Sequence, residues 1–213
     1  MFTRRELNKE TLIPCYVVVK TVADLPIFYK EEDCSRFLFQ MYAANQGKPI
    51  PNIHRKDIIS IANDLLLGLE PSLEPVIFQN SPLVNIISFS LVKNQAHFIL
   101  SSNKKNGISK FISKLNLGFA KYFNAKHNRV GVLFNKPFKM FPLQGNREID
   151  LVVSFVNIKK PLEVTQDLKN YSFSSFPDIF SSRKSRIIAS ESIMKNLGIN
   201  KNKLDFYIDL LEK

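Results

Sequence analysis

The stretch Asn85-Ile-Ile-Ser-Phe-Ser-Leu-Val-Lys-Asn-Gln-Ala-His-Phe-Ile-Leu100 holds two apolar runs that meet at Lys93-Asn94. In the first run Ile87, Phe89 and Leu91 alternate with Ser88 and Ser90, the two-residue period of a half-buried strand. Lys93-Asn94 supplies a tight turn, and Gln95–Leu100 returns as a second strand, so the pair reads as a hairpin. Directly after it, Gly107–Lys126 carries Ile108, Phe111, Ile112, Leu115, Phe119, Tyr122 and Phe123 at helical spacing, with lysines on the other positions.

Outward from this centre the same two periods recur. Residues 12–22 are β-branched and aromatic and read as a strand. Glu31–Ala44 reads as a helix behind an acidic first turn, and Asp57–Leu69 as a shorter one. Asn45–Asn52 is turn chemistry, and Glu70–Pro82 is a proline-punctuated loop; residues 45–82 together form an expected insertion. Val132–Phe141 reads as a strand broken by Pro137, hence an edge strand, because proline donates no ladder hydrogen bond. Arg147–Asn157 is helical again through Ile149, Val152, Val153 and Val156, and helices from about Ile187 to Leu211 are interrupted at Gly198. Strand, helix, hairpin, helix, strand, helix implies an α+β fold, an antiparallel sheet covered by helices. Residues 12–165 make the expected domain, and 166–213 a C-terminal helical extension.

Composition narrows the class. Thirty Lys and Arg oppose nineteen Asp and Glu, a formal charge of +11 that suits a polyanionic partner. No apolar run is long enough to span a bilayer, and the charged N-terminus lacks a signal-peptide core. Cys15 and Cys34 are too few for a secreted disulfide scaffold. A reduced, cytoplasmic protein with no membrane partner is expected.

Three ordered pieces resemble the REP-associated tyrosine transposases, relatives of the HUH-class transposases that move as single-stranded DNA. They are Ile86–Leu100, then Asn106–Lys139 with Asn106-Gly-Ile-Ser-Lys-Phe111, Tyr122-Phe-Asn124, Asn128-Arg-Val-Gly-Val-Leu-Phe134 and Phe138-Lys139, then Val153–Glu163. Weaker matches are Tyr16–Phe28 and Tyr171–Phe176. The resemblance implies a ferredoxin-like domain that recognises a DNA hairpin and cuts one strand. In that chemistry two histidines on a strand and a third polar ligand hold Mg²⁺ or Mn²⁺, and a helix tyrosine attacks the phosphate.

The chain departs from that pattern where the chemistry lies. The first histidine position is Gln95, and His97 alone remains. Phe155 stands at the nucleophile position and has no hydroxyl. The third-ligand position matches Lys159, although an extra residue at Lys159–Lys160 shifts the alignment there. No cofactor is expected unless Gln95 and His97 still support Mg²⁺ or Mn²⁺. Among the other tyrosines, Tyr122 reads as core with its hydroxyl at the rim, and Tyr16 and Tyr171 as aromatic framework.

Lys110, Lys114, Lys121, Lys126, Arg129, Lys136 and Lys139 form a basic set that could hold phosphates or be a solvated surface. Single-stranded or hairpin DNA is the expected partner, and the chain a monomer or homodimer. The leading reading is a DNA-binding protein that does not cut. The rivals are a nuclease or transposase using His97 and a non-standard nucleophile, and a structural or partner-binding protein on the same fold.

Overall fold

The computed structural model describes residues 13–46, 56–70, 82–102 and 104–211. Four antiparallel strands form one sheet: β1 (Cys15–Lys20), β2 (Asn85–Val92), β3 (Gln95–Ser101) and β4 (Lys139–Pro142), in the order β2-β3-β1-β4. Helices α1 (Glu31–Asn45) and α2 (Ile58–Leu66) connect β1 to β2, and α3 (Gly107–Lys126) connects β3 to β4. That connectivity and order are the split β-α-β-β-α-β arrangement, ferredoxin-like as expected. The expected turn at 45–52 and loop at 70–82 lie largely outside the described residues.

Alternation along β1 sorts the sheet into two faces. Cys15, Val17 and Val19 point into a large core with Phe37, Leu38 and Met41 of α1 and Phe111, Leu115 and Phe119 of α3. Gly118 allows the two helices to approach closely, because a β-carbon there would collide with the Gln40 side chain. Tyr16 and the β3 residue Ile99 face the other way, into a second core built by α4 (Gly145–Ser154) and the chain beyond it. Short helices α5 (Phe176–Phe180), α6 (Glu191–Asn196) and α7 (Leu204–Asp209) complete that layer, and Gly198 turns between α6 and α7 at φ 71°.

Three readings of the sequence change here. β2 is buried on both faces, so Ser88 and Ser90 are interior residues. A bulge between Ile86 and Ser88 also turns Ile87 into the second core. The Val132–Phe141 strand is only β4, with Phe134 on the far side of Pro137 making an isolated bridge to Thr21. Finally, the helix expected to reach Asn157 ends its α-helical part at Ser154 and continues as a π-helical turn, Phe155–Lys159.

The sheet's two edges differ. At β2 the edge is occupied: the Leu91 amide donates to the Phe173 carbonyl at 2.9 Å and the Ser175 amide to the Phe89 carbonyl at 2.8 Å. β4 is the opposite edge. No helix among the described residues is long and apolar enough to cross a membrane.

Candidate functional site

Register places Gln95, His97 and Ile99 of β3 on one face, opposite Lys20, Val18 and Tyr16 of β1 and Val92, Ser90 and Ser88 of β2. His97 is buried at 2% exposure in an inner strand, not at a strand edge. Its Nδ1 lies 2.8 Å from the Tyr16 hydroxyl, and the two rings stack at 6.1 Å between centroids with planes 9° apart. Burial, then the nearby positive charge of Lys160, lowers the imidazole to a pKa of about 3, so the ring is neutral. Burial also raises the Tyr16 phenol well above its ordinary range. Among the described residues, neither Nε2 of His97 nor the hydroxyl of Ser90, its ladder partner, meets a hydrogen-bond partner.

Phe155 comes to this pair from the covering layer. Its ring stands edge-on to Tyr16 at 6.0 Å and to His97 at 5.9 Å. His97 and Phe155, two of the positions singled out by the resemblance, therefore converge, with Tyr16 completing a three-ring cluster. Gln95 shares the His97 face but is half-buried nearer the turn, and its side chain forms no hydrogen bond among the described residues.

The extra residue at Lys159–Lys160 has a structural counterpart. A π turn absorbs one additional residue into a helix, and the Lys160 amide accordingly donates to the Phe155 carbonyl, five residues back, at 2.9 Å. The consequence is a one-residue shift of face. Lys159 is exposed, whereas the Lys160 ammonium sits 5.3 Å from the centre of the Phe155 ring. Glu163 holds that ammonium at 2.6 Å. Asn157 fixes the turn from inside: its amide donates to the Ser88 hydroxyl at 2.8 Å and accepts from the Ser175 hydroxyl at 2.6 Å.

A divalent cation is poorly served by these groups. The cluster offers one free imidazole nitrogen and no carboxylate on the strand, with an ammonium already alongside, and hard cations select several anionic or carbonyl oxygens. Among the described residues no three His, Cys, Asp or Glu side chains gather at metal-binding distance.

The basic set divides. Lys110, Lys114 and Lys121 are exposed along the outer side of α3, with Leu117 between them at 75% exposure. α3 covers the sheet face opposite to His97, so this stripe and the ring cluster lie in different layers. Lys126 is drawn inward to Asp33 at 2.8 Å, Glu32 at 2.8 Å and the Tyr122 hydroxyl at 2.9 Å, tying the end of α3 to the start of α1. Arg129 binds the Asn124 side chain at 3.0 Å and the Val132 carbonyl at 3.1 Å. Tyr122 is core with its hydroxyl on buried Asp33, 2.8 Å away. Lys136 and Lys139 are exposed before and within β4. Lys139 pairs with Val18 in the ladder and so lies on the His97 face.

Sequence reading missed the roles of Lys160, of Tyr16 as the partner of His97, and of the buried Asn157 network. Each depends on register or on the π turn. The one available signal was the extra residue before Pro161.

No protein-family model matches the chain, and no curated protein matches it. Among solved structures it is similar to a REP-associated tyrosine transposase bound to a REP hairpin, at 9% identity and a TM-score of 0.51, over 84% of each chain. At that identity the likeness is one of fold, a distant relationship carried by the sheet and its helices.

Proposed function

We propose that this chain binds structured or single-stranded DNA and leaves it uncut. One observation carries the second half: Phe155 packs edge-on to His97 and Tyr16 with the Lys160 ammonium over its ring, so rings and a lysine occupy the place where a nucleophile and metal would work. For the first half, the net charge of +11 and exposed Lys110, Lys121, Lys136 and Lys139 provide phosphate contacts that need no metal. The fold likeness is to a protein captured with a DNA hairpin, which supports the same partner.

A second reading has a specific observation behind it. The Tyr16 hydroxyl lies 2.8 Å from His97 Nδ1, the spacing of a nucleophile and its base. The energetics oppose it. An imidazole held near a pKa of about 3 is a weak base, and burial raises the phenol whose proton it would have to take.

A salt titration tests the binding half. Fluorescence anisotropy with a labelled DNA hairpin should show a binding constant whose logarithm falls linearly with log salt. The double variant Lys136→Glu/Lys139→Glu should flatten that slope by roughly two, about one per lysine. Lys110→Glu/Lys121→Glu gauges the α3 stripe in the same way. No binding at low salt would sink the proposal.

A further inference from the structure

The ring cluster does not end at Tyr16. Phe141 of β4 is the ladder partner of Tyr16, and the two rings stack at 6.1 Å with planes 23° apart. Phe141, Tyr16 and His97 thus form an aromatic row across three strands, closed from above by Phe155. The inner end of the row is sealed. At the outer end Phe141 is 50% exposed, on the edge strand, and Tyr16 is its one ring neighbour among the described residues. The other edge of the sheet is occupied by residues 173–175, so among the described residues the row opens toward β4.

Charge identifies the occupant. Lys139 sits two residues before Phe141 on the same face, exposed and without an ion-pair partner among the described residues. Two strand positions are about 6.8 Å apart, the scale that separates a base from its own phosphate. A flat ring whose open side lies beside a lysine, in a chain of charge +11, suits a flat ligand carrying negative charge. We infer that Phe141 is a stacking platform for an unpaired nucleobase, with Lys139 on the phosphate of the same strand. The inference rests on the DNA-binding reading and names a subsite within it. Phe141 carries no nucleophilic or acid–base group, so the platform is a binding element only.

Removing bases while keeping phosphates separates stacking from charge. The probes are a labelled oligothymidylate and an abasic sugar-phosphate strand of equal length, measured by anisotropy at one low salt concentration. The intact chain should bind oligothymidylate about tenfold more tightly than the abasic strand. Phe141→Ala and Phe141→Leu should bring the ratio to near one by weakening only the base-bearing strand, and Phe141→Tyr should keep it. Lys139→Ala should weaken both strands alike. Equal binding of the two strands by the intact chain would overturn the platform, as would an unchanged ratio in Phe141→Ala. If that happens while a DNA hairpin still binds with salt-dependent affinity, the platform fails alone. If hairpin and both strands all fail to bind, the DNA reading falls and takes the platform with it.

Discussion

At the scale of single residues, His97 carries the clearest consequence. A buried imidazole with a folded pKa of about 3 stays neutral while its unfolded counterpart, near 6.5, takes up a proton. The unfolded chain therefore binds more protons between those values. His97 contributes stability that is complete above about pH 6.5 and is lost as the pH falls toward 3. The slope is about 1.4 kcal/mol per pH unit in that window. Urea denaturation at about pH 5 and about pH 7 should show the intact chain losing more stability on acidification than His97→Gln does, and parallel losses would refute a buried neutral histidine. Gln95 and Phe155 were legible as chemical departures only against the pattern of the family the sequence resembles. The Tyr16–His97 pair was not, because residues 81 positions apart meet only through strand register.

At the scale of elements, the π turn decides which lysine faces the site. The spacing of Ile149, Val152, Val153 and Val156 announced a helix correctly, yet regular spacing cannot show where one residue is looped into it. Lys159, the lysine matched to the third-ligand position, is exposed, and it is Lys160 that lies beside the rings. What holds the turn against β2 is the Asn157–Ser88–Ser175 network, wholly buried and bonded on both sides of the amide. Asn157→Ala would take one partner from each of the Ser88 and Ser175 hydroxyls, leaving them bonded to each other and Ser175 to the Phe89 backbone, and would open a small void. It should cost roughly 2–4 kcal/mol, measured by chemical denaturation. A loss below about 0.5 kcal/mol, the range of a surface change, would show that the network does not anchor the turn. β2 illustrates the other limit of local patterns. Its Ser88 and Ser90 looked solvent-facing because alternation reports polarity, whereas burial of the second face depends on a distant segment that covers it.

At the scale of the whole molecule, the succession of strands and helices announced an antiparallel sheet covered by helices, whereas its ferredoxin-like arrangement was implied only by the resemblance and the order β2-β3-β1-β4 comes from the structure. The chain beyond residue 165 was readable as helical, but not as part of the layer that, together with α4 and the π turn, covers the second sheet face where Phe155 meets His97. Charge behaved similarly: the lysines were countable, yet only the fold separates Lys110 and Lys121 on the outer helix, Lys126 and Arg129 engaged with neighbours, and Lys139 on the site face. The proposed picture is a chain with a transposase-like fold, with packed rings at the position where the resemblance would put a nucleophile and exposed lysines suited to phosphates. It is tested most directly by incubating the intact chain with labelled hairpin DNA and Mn²⁺, then resolving the mixture both natively and after denaturation. The expected result is a shifted native band together with intact, unattached DNA on the denaturing gel; a nicked strand or covalent adduct, above all one lost in Tyr16→Phe, would contradict it.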